Sequence, residues 1–328
     1  APRCRVLQSP LAGVSDRIFR GLVRRWAPDA LLFTEMVNAT SLELGHGLIK
    51  VEELASEPGP IGVQLFDHRP AAMADAARRA EAAGAFLIDI NMGCPVKKIA
   101  QKGGGSGLIR DPELAARIVE TVAGAVAIPV TVKTRLGWCG APDASAVRWC
   151  RQLEAAGAQL LTLHGRSREQ GFKGQADWGA IAAVKAALAI PVIANGDITN
   201  ADKAREVMAF TGTAGVMVGR ASHGAPWIFR DINGLLTTGR VPPPLPRAEL
   251  RDIVLGHLQA IYAFHGEESG LRIARKHLGW YSRLLEAAPQ ARPRLMAAES
   301  TSLQFACASE YFDAWVGAGD GGRPKEQS

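Results

Sequence analysis

Residues 81–95 read Glu81-Ala-Ala-Gly-Ala-Phe-Leu-Ile-Asp-Ile-Asn-Met-Gly-Cys-Pro95. An alanine-rich helical run stops at Gly84, and a short apolar, β-rich run, Phe86–Asn91, starts at once. The same junction recurs at Glu154-Ala-Ala-Gly-Ala158, ahead of Leu160–Gly165. A second repeated pair is Ala127-Ile-Pro-Val130, entering the run that holds Lys133, and Ala189-Ile-Pro-Val192, entering the run that holds Asn195. Working outward, similar runs occupy Val6–Ser9, Leu31–Met36, Ile61–Phe66, Val130–Arg135, Val192–Gly196 and Val216–Arg220. Helical stretches such as Ala71–Ala83, Glu113–Ala123, Ala146–Ala156 and Asn200–Phe210 lie between them. Ser15-Asp16, Asp111-Pro112 and Thr199-Asn200 stand where N-caps belong. Strands apolar on both faces that alternate with helices form a parallel sheet, and eight of them close into a barrel. Such junctions recur in any α/β protein, so they support the class more strongly than the count. The reading is a (β/α)₈ TIM barrel over residues 1–243.

Beyond Arg220 the pattern changes. Val241-Pro-Pro-Pro-Leu-Pro246 reads as a stiff linker. From Arg247 to about Trp315 the period is purely helical, with Ile253, Leu258, Ile261, Tyr262, Ile273, Leu278, Tyr281 and Leu284 on the apolar positions. This predicts a smaller all-helical domain at 244–316 and a glycine-rich, charged, disordered tail at 317–328. The 328 residues are 47% hydrophobic, enough for a large core. No run is long enough to span a bilayer, and Ala1-Pro-Arg-Cys4 leads into a strand without a secretory h-region. The expectation is a cytoplasmic protein with no membrane contact. Five cysteines without a C-x-x-C pair argue against a disulfide framework and against a structural metal. The net charge is +6 and suits an anionic partner. From Leu245 onward ten basic residues balance ten acidic ones, so the excess lies in the barrel region.

Barrel enzymes work at the C-terminal ends of their strands. Those ends carry Gln64, Asn91, Lys133 with Arg135, His164 with Arg166, Asn195 with Asp197, and Arg220. Polar ends on six strands are hard to explain as loop caps. Asn195-Gly196-Asp197 and Gly219-Arg220 close the last two strands, where backbone N–H groups and a guanidinium can hold a phosphate. FMN fits that groove, and so does a phosphosugar. Lys133 lies inside a strand, where an ammonium needs a buried partner such as Asp89 or Glu35, or a forming negative charge such as that of a reduced flavin. Cys94 lies just past a strand end, in a glycine-rich loop that reads as a mobile lid. Its thiol can act as a general acid, or as a nucleophile if His164 activates it.

Asn91-Met-Gly-Cys-Pro95 with Lys97-Lys98 and Gly105-Ser-Gly107, then Lys133-Thr-Arg-Leu-Gly-Trp138, follow one another along the chain. His164-Gly-Arg166 with Gly174, Asn195-Gly-Asp197, and Gly219-Arg220 with Pro226-Trp-Ile-Phe229 complete the order. Together with Ser9-Pro-Leu-Ala-Gly-Val-Ser-Asp16 and Arg275-Lys-His-Leu-Gly-Trp-Tyr281, the set resembles the tRNA-dihydrouridine synthase family, in its bacterial B-type branch. The resemblance implies FMN contacts from Pro10, Leu11, Ala12, Gln64, Lys133, His164, Asn195, Gly196, Asp197, Gly219 and Arg220. It implies a ping-pong reaction in which NADPH (or NADH) reduces FMN, flavin N5 passes hydride to C6 of a D-loop uridine, and Cys94 protonates C5. Asn91 would orient the base, and Arg166 would lie near substrate or phosphate. Leu11 departs from the family's usual Met, a volume-conserving swap. The Gly103-Gly104-Gly105 run is richer in glycine than the family pattern and leaves the place of Lys102 open.

The RNA must also be held, and the target base must leave its stack. Lys97, Lys98, Lys102 and Arg135 near the cysteine loop, and Arg272, Arg275 and Lys276 on one helical face, are the basic candidates. No protein partner is implied. The competing reading is an FMN-dependent reductase of a free pyrimidine, of the dihydroorotate or dihydropyrimidine dehydrogenase kind. It would share Lys133 and the phosphate turns but would not need Lys97-Lys98 or a basic helical domain. An RNA-binding protein on an inert barrel is the third.

Overall fold

A computed structural model describes residues 5–47, 49–139, 144–285 and 292–318. Among the described residues nine strands run in one sheet: β1 (Val6–Gln8), β2 (Leu32–Phe33), β3 (Val37–Asn38), β4 (Ile61–Phe66), β5 (Leu87–Met92), β6 (Val130–Arg135), β7 (Leu161–His164), β8 (Val192–Asn195) and β9 (Gly215–Val218). Every pairing is parallel, and the order is β1-β9-β8-β7-β6-β5-β4-β2. The sheet curls until its ends meet, where Gln8 N–H donates to the Leu31 carbonyl at 3.3 Å. Phe33 N–H adds a bond to the Gln8 side-chain oxygen at 3.0 Å. The outcome is the expected barrel of eight staves. The second stave, read as one run over Leu31–Met36, is broken: β2 and β3 both pair with β4, at Leu32↔Ile61 and at Val37↔Leu65.

Leu7, Phe33, Leu87, Ile193 and Met217 come from five strands and form one apolar cluster. Residues of β5 and β9 can meet in this way only across the barrel interior, so the lumen is a packed core. A larger cluster fills the shell between strands and helices, with Val63, Ile90, Val132, Leu163 and Ala194 on the outward side of the staves. The expected N-caps are present: Asp16, Asp111 and Asn200 accept from Phe19, Leu114 and Lys203 N–H.

The repeated junctions have a specific use. Glu81 Oε1 accepts from Ala127 N–H and Ile128 N–H at 2.8 and 3.1 Å. Glu154 Oε1 accepts from Ala189 N–H and Ile190 N–H at 2.8 and 2.9 Å. Each Glu-Ala-Ala-Gly-Ala therefore fastens the Ala-Ile-Pro-Val that enters the following strand, whose amides lack a ladder partner.

The expected all-helical region follows the barrel. Residues Arg247–Leu284 form two helices that meet at Gly266, whose φ of 72° breaks the helical path; Arg292–Ala297 and Thr301–Gly317 follow. Ile253, Leu258, Ile261, Leu278, Tyr281, Phe312 and Trp315 form a second apolar cluster, and Leu22 of the barrel helix Arg17–Arg24 joins it. The tail from residue 319, like Cys4, lies outside the described residues. No described helix is long and apolar enough to cross a membrane.

Candidate active site

The strand ends open into a cleft of about 1040 Å³. Every residue expected at the cofactor lines it, from Pro10, Leu11 and Ala12 through Gln64, Lys133, His164 and Asn195–Asp197 to Gly219 and Arg220. Cys94, Asn91, Arg135 and Arg166 line it too, whereas Lys97, Lys98, Lys102, Arg272, Arg275 and Lys276 do not. Lys97, Lys98 and Lys102 are exposed beside the mouth. The helical candidates do not present one open basic face. Arg275 donates to the Ala298 carbonyl at 2.6 Å, Lys276 reaches the Gly13 carbonyl, and Arg272 lies beside Glu268.

On one wall, a chain of hydrogen bonds starts deep in the barrel. Thr131 Oγ1 and Gln64 Nε2 each donate to Asp89 at 2.6 Å. Asn91 Nδ2 then donates to Gln64 Oε1 at 2.8 Å, and Asn91 Oδ1 accepts from the N–H groups of Gly93 and Cys94. Asn91 thus holds the turn on which Cys94 sits. Burial pushes the Asp89 carboxyl up to about 6, against the bonds from Thr131 and Gln64 and the charge of Lys133. Asp89 and Glu35 are not ion-pair partners of Lys133: its Nζ donates to Asn195 Oδ1 at 3.0 Å, while Glu35 takes Lys50 and the Gly13 N–H. Burial and the neighbouring Arg135 lower the Lys133 ammonium to about 8.

The cysteine segment is packed rather than loose. Ser106 N–H donates to the Cys94 carbonyl at 3.1 Å, and Gly105, Ser106 and Leu108 are buried. Gly103 and Gly105 hold φ of 82° and 55°, and a Cβ on Gly107 would lie 2.5 Å from the Ala100 carbonyl oxygen. The glycines answer to tight turns and close packing. Burial pushes the Cys94 thiol up from its ordinary value, against a backbone bond from Val96 and the charges of Arg135 and Lys133. His164 is driven well below its usual range by burial and by four cations, Lys133, Arg135, Arg166 and Arg220. A raised thiol that shares its cleft with a neutral imidazole, and among the described residues has no hydrogen bond to it, is the setting of an acid, not of an activated nucleophile.

Two arginines brace the far wall. Arg135 donates to the carbonyls of Gly93, Ser167 and Gly171 at 2.7 to 3.0 Å. Arg166, only 2% exposed, binds both oxygens of Asp197 at 2.8 Å and the carbonyls of Lys173 and Gly174. Asp197 also accepts from Ala176 N–H at 2.7 Å, in a left-handed backbone position with φ 53°. Both arginines are structural clamps as well as cavity residues. The loop they pin carries Phe172, which lines the cleft 54% exposed, with Arg220 and Arg135 over its ring at 4.7 and 5.5 Å. Phe172, Met36 and Trp178 belong to the cleft and escaped the sequence reading, which looked for polar strand ends.

A family model described as "Dihydrouridine synthase (Dus)" matches residues 7–313. A protein named "Probable tRNA-dihydrouridine synthase 1" from Synechocystis sp. is 49% identical over 296 residues, which cover 90% of this chain and 83% of that protein. A "tRNA-dihydrouridine synthase B" from Xanthomonas axonopodis pv. citri is 44% identical over 315 residues, 95% of this chain and 94% of the relative. Among solved structures, a morphinone reductase variant with tetrahydroNAD aligns at a TM-score of 0.50 and 16% identity, covering 74% of this chain and 89% of that one, and shares the fold. The strand-end constellation and the family match run through the same residues: the chain belongs to the dihydrouridine synthase family.

Proposed function

We propose that the protein is a tRNA-dihydrouridine synthase of the B type, which reduces the C5=C6 bond of D-loop uridines with FMN and NADPH. The observation that carries this is Cys94 lining the same cleft as Gln64, Lys133, His164, Asn195 and Arg220, with burial pushing its thiol up. At about 1040 Å³ the cleft sits at the upper end of typical ligand sites, room for a tricyclic ring and a nucleobase together. The residues fit FMN. A Cβ on Gly196 would lie 2.9 Å from Ala176 Cβ, so the floor beneath the strand ends admits only glycine, and Arg220 stands at its rim for a phosphate. Gln64, Lys133, His164 and Asn195 would face the ring. When bound, FMN supplies the hydride.

The chain's own groups do the rest. Cys94 retains its proton until C5 of the base needs it, and the Arg135 and Lys133 charges and the Val96 N–H then hold the thiolate left behind. Asn91 keeps the sulfur in place through the Gly93-Cys94 turn. Lys133, with Asn195 as its single hydrogen-bond partner among the described residues, supplies positive charge where negative charge gathers on reduction. His164 contributes a neutral ring nitrogen. Lys97 and Lys98 approach the RNA backbone, and the reaction belongs in the cytoplasm with its substrate.

The test is dihydrouridine mapping on unmodified tRNA with NADPH, wild type against Cys94→Ala. The variant should keep FMN and its reduction by NADPH and lose about 2–4 orders of magnitude in uridine turnover, the usual share of a positioned acid. Undiminished turnover removes Cys94 from the chemistry. Reduction of free uracil or orotate in preference to tRNA would favour the free-pyrimidine reading instead.

A further inference from the structure

Three loops leaving neighbouring strands at the open end of the barrel meet around one indole. Trp138 follows β6, Arg110 ends the segment that begins at Cys94 after β5, and Arg168 follows β7. The guanidinium carbons of Arg110 and Arg168 lie 4.9 and 4.6 Å from the Trp138 ring centre. Backbone bonds lock the two later loops together, from Arg168 N–H to the Gly137 carbonyl at 2.9 Å and from Glu169 N–H to the Trp138 carbonyl at 3.0 Å.

Among the described residues neither guanidinium has a carboxylate within ion-pair distance, although Arg69, Arg166, Arg205 and Arg251 each have one. Neither lines the cleft, so neither is committed to the cofactor. Two cations are thus fixed by stacking, un-neutralised, beside the mouth through which the base must enter. A guanidinium held flat on an aromatic ring keeps its donor edge free and is already ordered, which suits it to a phosphate.

We propose that Arg110, Trp138 and Arg168 form a docking point for the RNA backbone, taking phosphates next to the nucleotide that enters the cleft. This rests on tRNA being the substrate. Phosphates recognised in this way carry no sequence information; they set the register of the strand over Cys94.

The experiment measures binding of an unmodified tRNA transcript to the FMN-loaded full chain across a salt series, with steady-state kinetics alongside. Arg110→Gln and Arg168→Gln should each weaken binding about 3- to 10-fold and flatten the log–log salt slope by about one. KM for tRNA should rise with kcat little changed, while flavin absorbance and NADPH-driven flavin bleaching without tRNA stay at the wild-type level. Trp138→Leu keeps every charge yet should weaken binding to a similar degree, and Trp138→Phe should restore most of it. Should Trp138→Leu fail to fold, Arg110→Glu at its exposed position should bind worse than Arg110→Gln. A double arginine variant with wild-type affinity and salt slope overturns the docking point alone. A wild-type protein that binds no tRNA while its flavin still turns over with NADPH overturns the substrate reading as well.

Discussion

Gly196 lines the cleft at a position that suits glycine alone. Its φ of 118° lies outside the range of other residues, and a side chain there would also meet His164 Cδ2 at 3.3 Å. Gly196→Ala should add on the order of 1–3 kcal/mol of strain, read as a roughly 5- to 150-fold weaker flavin affinity in an absorbance titration. Unchanged flavin content would show that the turn adapts. Arg166 is held through Asp197, and Arg166→Leu leaves that carboxylate facing a low-dielectric wall without its partner. Asp197 is partly open to solvent, which tempers the loss to about 3 kcal/mol in urea unfolding. The polar strand ends were legible because a charged or amide residue inside an apolar strand needs a reason. What they do was less so. The Arg166–Asp197 pair spans 31 positions and exists only once β7 and β8 are side by side. Asn91 reads as a base-binding amide, but its oxygen is engaged by the Gly93 and Cys94 amides. Met36 and Phe172 are apolar, so no residue-type signal marked them.

Element by element, the alternation of strand and helix was open to reading because period and punctuation are local properties. The break of the second stave was not, since it answers to β4: Thr34 N–H donates to the Gly62 carbonyl, and the chain then leaves the sheet before rejoining at Val37. The repeated glutamates fall between the two cases. Their spacing was visible, but their acceptor role crosses 46 and 35 positions. Glu154→Ala should uncover two amides at Ala189 and Ile190 and lower stability by about 1–3 kcal/mol, with flavin binding retained. Glu81→Ala should do the same at Ala127 and Ile128. Urea midpoints equal to wild type for both would mean that water replaces the carboxylate without loss.

Taken whole, the molecule joins barrel and helical layer through a histidine-rich seam. His277 stacks on Phe19 and His223 on Trp280, His257 meets His277 and Tyr281 edge-on, and His265 binds Asp16 at 2.7 Å. Burial lowers His257 and His223 to about 4 and holds His277 well below its usual range, with Asp16 opposing at His257, Arg220 adding at His223, and His257, His223, Lys276 and His265 adding at His277. These imidazoles are neutral when folded and near 6.5 when unfolded, so the unfolded chain binds protons first as pH falls. Their contribution to stability should be full above about 6.5 and decline from there to about 4, on the order of 3 kcal/mol from His257 alone, while the raised Asp89 carboxyl works the other way below about 6. His257→Phe should flatten that decline in urea midpoints taken across the range; an unchanged slope would place the titration elsewhere. A different joint limits the barrel itself. Between β1 and β2 the bonds seen among the described residues come from the Gln8 backbone and side chain, whereas every other neighbouring pair of staves shares a ladder. Amide protons at Gln8 and Phe33 should exchange with deuterium ahead of those in β5 and β6. Once that gap opens, two raw sheet edges face the solvent, and partial heating should then drive chains to stick edge to edge before they unravel.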